Sequence, residues 1–162
     1  MNIKSLRMRE KEIVIVYDEI SKNNNLETHT LTSPDEPLES FRDALQALAY
    51  YAEKIAEERD ESSEKMEVRG FTISKTSKEE KLTIIVKMPV DTSNSPKNIP
   101  TPGYNLKKEE PANPQFHKDL NDRVADLLTE VKNYINGHRK EPAQGNLKFE
   151  EEKEPEEAEV AA

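Results

Sequence analysis

The apolar residues of this chain switch repeatedly between two spacings, and that switching constrains the fold more than any motif in the sequence. From Asn2 to Glu19 they alternate. Leu6, Met8, Val14 and Val16 share one parity, while Arg7, Arg9 and Lys11 take the other. Such alternation puts the two sets on opposite faces of a strand. The charged "REKE" in the middle predicts a bulge or break in that strand. "SKNNN" has turn chemistry, and "LETHTLT" from Leu26 to Thr32 predicts a returning strand that completes a first hairpin.

The spacing then changes to steps of three and four. Leu38, Phe41, Leu45, Leu48, Ala52 and Ile55 form one apolar stripe, which predicts a helix running to about Arg59. Its expected start is "SPDE": Ser33 as cap, Pro34 in the first helical position and Glu36 closing a capping box. Alternation returns at Met66, Val68, Phe71 and Ile73, with a parity change at Arg69 and Gly70 that predicts a bulge. After "KTSKEE", Leu82, Ile84, Val86 and Met88 predict a strand with one buried face.

Six of the ten prolines fall between Pro89 and Pro114. Proline lacks an amide donor, so this stretch can be neither a helix nor an inner strand, and it is expected to be a long connecting loop. A last helix is predicted from Pro114 to about Asn136. Asn113 is its cap, its stripe runs through Phe116, Leu120, Val124, Leu127, Val131 and Tyr134, and Gly137 is its terminator.

The expected fold is therefore α+β and two-layered. An antiparallel sheet of about four strands, in ββαββα order, carries two helices on one face. The domain spans residues 1–137, with the proline loop 89–114 inserted. A flexible tail follows over 138–162, ending in a disordered acidic stretch at 150–162. The doubled order hints at an internal repeat, although no matching residues mark one.

Charge and residue usage narrow the chemistry. The net charge is −9, and seven Glu and one Lys after Phe149 leave only −3 for the rest of the chain. Such a balance argues against generic coating of duplex DNA, which needs clustered Lys and Arg. There is no cysteine, which excludes disulfides, thiolate catalysis and Cys-based metal sites. The start is charged, and the apolar run Ile13 to Tyr17 is too short for a signal or a membrane span, so a cytoplasmic protein is expected.

The four glycines form no phosphate-cradling loop, and there is no Gly-x-Ser-x-Gly elbow. His29, His117 and His138 are scattered without metal-ligand spacing. Acidic pairs such as Asp35 and Glu36, or Glu57 and Glu58, are read as helix-dipole partners rather than catalytic carboxylates. The expectation is a non-enzyme with no cofactor and no metal.

Two surfaces remain as binding candidates. Arg7, Arg9 and Lys11 with Lys75, Lys78, Lys81 and Lys87, beside an aromatic such as Tyr17, describe a single-stranded nucleic-acid face. The plainer reading of the same lysines is solvation and edge protection. In the proline loop, Asn94, Asn98, Thr101 and Tyr104 are polar groups on a stiff backbone, equally suited to a functional loop or a surface connector.

The tail is the more specific case. In "PAQGNLKFEEE", Gln144 can hydrogen-bond in a polar subsite while Leu147 and Phe149 enter an apolar pocket. This spacing resembles the hexapeptide by which bacterial polymerases and repair proteins dock onto the replicative sliding clamp. Gly145 and the final Phe149 depart from the aliphatic residues usual there. The stretches "IKSLRMRE", "IVIVYD", "FRDALQALA", "EVRGFTIS", "NIPTP" and "AQGNLKF" make the chain resemble small proteins encoded by tailed bacteriophages of Gram-positive hosts.

That resemblance implies a place among replication or recombination genes and host cytoplasm, and it brings no established activity. The leading expectation is a phage accessory protein whose tail docks on a replication or host protein. Alternatives are a single-stranded nucleic-acid binder with an autoinhibitory acidic tail, and an acidic inhibitor of a host defence enzyme. The sequence leaves the oligomeric state open.

Overall fold

The computed structural model describes residues 1–57, 62–90 and 93–141. Its first half holds strands β1 (Asn2–Met8), β2 (Ile13–Ile20) and β3 (Leu26–Ser33), followed by helices α1 (Glu39–Gln46) and α2 (Leu48–Ile55). A 3-10 turn at Ser62–Lys65 leads to β4 (Glu67–Lys75), β5 (Glu80–Val90), β6 (Ser93–Pro100), β7 (Tyr104–Asn105) and α3 (Pro114–Ile135). The strands form one seven-stranded antiparallel sheet in the order β3-β2-β1-β4-β5-β6, with β7 also paired to β5. The α+β class and the antiparallel sheet are as expected. The strand count is not: seven replace about four.

Three features account for the difference, the smallest being the two-residue β7, which pairs with β5. "REKE" is a hairpin turn, not a bulge: the Arg9 amide donates to the Glu12 carbonyl at 2.8 Å, and Met8 pairs with Ile13. The turn resets the parity. Ile13 and Ile15 face the core beside Ile3 and Leu6, and Val14 and Val16 are turned to the other face. The second feature is β6, which runs through the proline stretch as an edge strand on β5. An edge strand needs ladder bonds on one side only, so missing proline amides are tolerated there.

The sheet is two three-stranded meanders set back to back, the second with the short β7 added on β5, and each leads into helix. Each half thus places a three-stranded meander before its helical segment, where the sequence predicts two strands and a helix. Among the described residues, the two meanders pair along the β1–β4 joint, where Ser5, Leu6 and Arg7 meet Thr72, Phe71 and Gly70.

One core lies on one side of the sheet. Phe41 and Leu45 of α1, Leu48 and Ala52 of α2, and Leu120, Leu127, Val131 and Tyr134 of α3 pack on Leu6, Ile15, Phe71, Leu82 and Ile84. Each such large side chain, fully buried, contributes about 1.5–3 kcal/mol by removal from water. Among the described residues no helix covers the opposite face.

Helix α3 follows its local signals. Asn113 Oδ1 accepts the Phe116 amide at 3.1 Å, Pro114 takes the first helical position, and the expected stripe is buried or half-buried. Gly137 closes it at φ +99°. The first helical segment departs from expectation. Ser33 belongs to β3, where it pairs with Ile13, and its hydroxyl accepts the Asp35 amide rather than capping a helix. Pro37 disfavours helical geometry at Glu36, so α1 starts at Glu39. The register shift between Val68 and Gly70 places the β4 bulge where the parity change put it.

Candidate functional site

Gln144, Leu147 and Phe149 lie outside the described residues. What is defined is the point from which that segment leaves. After α3 the chain is clamped by Arg139, whose Nε donates to the Tyr134 carbonyl at 2.9 Å. Its Nη1 donates to Asp35 Oδ2 at 2.8 Å and to Ser33 Oγ at 3.3 Å. The guanidinium sits 4.4 Å from the centre of the Tyr134 ring, a cation–π contact with a fully buried aromatic.

Tyr134 Oη donates to the Asp35 carbonyl at 2.5 Å, and the Lys140 amide donates to the Glu36 carbonyl at 2.8 Å. Lys140 and Glu141 are exposed, so the next residues start from a fixed surface point beside the end of β3. Asp35 and Glu36 therefore receive Arg139 and Lys140, a role no local sequence signal marks. Arg139 looks like any tail cation until the fold brings β3 and α3 together.

The basic residues divide between places. Arg7 on β1 and Lys81 on β5 share the sheet face that no described helix covers, opposite Val14 and Ser74 respectively. Arg9 and Lys11 sit in the β1–β2 turn. Tyr17 does not join the basic face. It pairs with buried Ile3, packs against the core and stacks on His29 at 5.3 Å. Acids neutralise much of the set: Arg9 pairs with Glu12 at 3.3 Å, Lys75 with Glu80 at 3.1 Å, and Lys81 with Glu79 at 3.3 Å. Among the described residues, no aromatic platform stands on the face that carries Arg7 and Lys81.

The polar groups of the proline stretch that can be placed mostly serve the fold. Thr101 is buried. Its Oγ1 accepts the Ile84 amide at 3.0 Å while its own amide donates to the Ile84 carbonyl at 2.8 Å. Tyr104 meets the start of α3, with Oη 2.8 Å from His117 Nδ1 and its ring 5.8 Å from Phe116. Burial raises the Tyr104 phenol above its ordinary range. The Asn105 carboxamide oxygen accepts the Lys107 amide at 3.0 Å.

Glu53 is the one carboxylate among the described residues that is almost wholly covered, 3% exposed. Its Oε1 accepts the Ser63 amide at 2.8 Å, and that bond above all holds its carboxyl below the ordinary carboxylate range. It ties the 3-10 turn to α2, which is structural work. Two open grooves of about 200 and 190 Å³ adjoin at Met8 and Arg42. Their linings mix Arg9, Lys11 and Arg69 with Glu12, Asp35 and Glu67, a composition that favours neither anions nor cations. Among the described residues, no three His, Asp or Glu side chains converge as a metal site, and no helix is long and apolar enough to cross a membrane. Comparison with protein-family models, curated proteins and solved structures finds no match.

Proposed function

We propose that this protein is a non-enzymatic accessory protein of a tailed bacteriophage, acting in the host cytoplasm, whose residues 144–149 dock on a replication or recombination protein. The sliding clamp is the foremost candidate partner. One observation carries the reading. Arg139, bonded to Ser33, Asp35 and Tyr134, pins the chain so that the clamp-like peptide follows within a few residues of an exposed, fixed exit. A peptide tethered near a rigid body keeps a high local concentration at a partner that also touches that body. Gln144 supplies the polar contact, Leu147 and Phe149 the apolar ones, and the glutamates beyond steer the segment toward a basic rim.

The nucleic-acid reading is the weaker one, because Tyr17 lies on the face opposite Arg7 and Lys81 is paired with Glu79. Calorimetry with a peptide of residues 141–154 and a bacterial clamp tests the proposal. The expected dissociation constant is on the order of 1 μM, abolished by Leu147→Ala with Phe149→Ala. No heat from the native peptide, or equal heat from the double variant, would overturn it. Salt-dependent binding of single-stranded DNA that strengthens on removing 142–162 would instead favour the nucleic-acid reading.

A further inference from the structure

The two edges of the sheet differ in a way that points to a second copy of this chain. Edge strands offer unpaired amides and carbonyls, and proteins blunt them with proline, lysine or bulges. Edge β6 carries Pro96, Lys97 and Pro100, and its pairing with β5 shifts register between Met88 and Val90. Edge β3, LETHTLTS, has neither proline nor lysine, and it pairs with β2 over eight consecutive residues without a shift.

The Ser21 amide donates to the Asn25 carbonyl at 2.8 Å, and bonding positions alternate along an antiparallel ladder. Glu27, His29, Leu31 and Ser33 therefore bond toward β2. The amides and carbonyls of Thr28, Thr30 and Thr32 point outward, with no backbone partner among the described residues. All three side chains are exposed.

We infer that β3 pairs antiparallel with β3 of a second copy about a twofold axis at Thr30. In that register Thr30 meets Thr30 and Thr28 meets Thr32, and the outward groups exchange about six backbone hydrogen bonds. The threonines pair on one face, and threonine opposite threonine is a favourable cross-strand match. On the other face His29 meets Leu31, and Glu27 meets Ser33. The last pairing supplies charge complementarity. Ser33 Oγ already accepts a bond from Arg139, so each Glu27 carboxylate arrives beside the other copy's guanidinium. A register displaced by two residues would set His29 on His29 and Glu27 on Leu31, and would lose that contact. The paired edges make one sheet continuous across both copies and leave the β6 edges outermost.

Sedimentation equilibrium of the full chain tests this, with Thr30→Lys and Thr30→Glu as variants. Thr30 is exposed and bonds outward, so either substitution leaves the β2–β3 ladder intact. The native chain is expected to dimerise reversibly. Each variant alone places like charges opposite each other and raises the dissociation constant about five- to tenfold. An equimolar mixture of the two restores the dimer, a result that a folding defect would not give. Hydrogen exchange provides a second measure, since the amides of Thr28, Thr30 and Thr32 should be protected at high protein concentration and lose protection on dilution. A native chain that is monomeric at all concentrations overturns the inference. So does a dimer indifferent to both variants. Dimerisation that appears only after deleting 142–162 also overturns it, and assigns the edge to the chain's own tail.

Discussion

Replacing Gly70 with alanine strikes the narrowest joint in the molecule. A Cβ built there would lie 2.1 Å from the Leu6 carbonyl oxygen, 3.0 Å from the Leu6 carbonyl carbon and 3.2 Å from the Arg7 Cα. Carbon and oxygen rest at about 3.3 Å, so β1 and β4 must part by roughly 1 Å. The clashing atoms are backbone, with no rotamer to swing aside. The joint has little to spare, because Ser5–Thr72, Leu6–Phe71 and Arg7–Gly70 are the pairs that connect the two meanders. Overpacking of this kind costs about 1–3 kcal/mol, and each weakened ladder bond about 1 kcal/mol more. The stiffer unfolded chain returns about 0.4–1 kcal/mol.

The expected net loss is about 3 kcal/mol, a large share of the ~5–15 kcal/mol typical of a domain. Urea unfolding at neutral pH measures it, with the midpoint falling and the slope unchanged. Gly103→Ala is the control. The new Cβ there would meet only the Lys81 side chain at 3.3 Å, which can move, so the change should stay under about 1 kcal/mol. If Gly70→Ala unfolds within about 0.5 kcal/mol of the native protein, or if the control costs more, the close-approach argument fails.

The other predictions concern single bonds. Thr101→Val leaves the buried Ile84 amide without its side-chain acceptor and should cost about 1–3 kcal/mol in urea unfolding; no loss would mean that the amide finds another partner. Asn113→Ala removes the acceptor for the Phe116 amide and should cost about 1 kcal/mol, with hydrogen exchange quickening in the first turn of α3 and not in its last. The Glu53 carboxyl is held low, so its ionised form contributes stability that is present above the ordinary value of 4.5 and lost as pH falls through the lowered one. Glu53→Gln should therefore flatten the acid limb of the stability–pH curve, and an unchanged limb would deny Glu53 that role.

Helix α3 was readable because everything that defines it is local. The Asn113 cap, Pro114, the apolar stripe and Gly137 all act within a few residues of their own backbone. The β4 bulge was readable for the same reason, since a parity change is written along a single strand. The β1–β2 turn was not. It contains no glycine, proline or asparagine, so its charged residues read as an interruption of one strand and hid a second. Strand β6 was hidden by its prolines, which exclude the sheet interior and permit its edge. Of the binding candidates, Arg7 and Lys81 were brought to one face by pairing across β1, β4 and β5, while the β1–β2 turn, by resetting the parity of β2, put Tyr17 on the other.

The sequence by itself determined the class of the fold, the identity and ends of α3, the greasy side of β4 and β5, and the acidity concentrated after Phe149. Those are consequences of short-range sterics, capping and periodicity. Tertiary structure alone decided which residues of β2 enter the core, that two meanders join at Gly70, and that Arg139 locks the exit of the tail onto Ser33 and Asp35. The first follows from how β2 folds back on β1 through the Arg9–Glu12 turn, and the other two from the approach of segments far apart in the chain; the energy that selects each exists only once both surfaces have met.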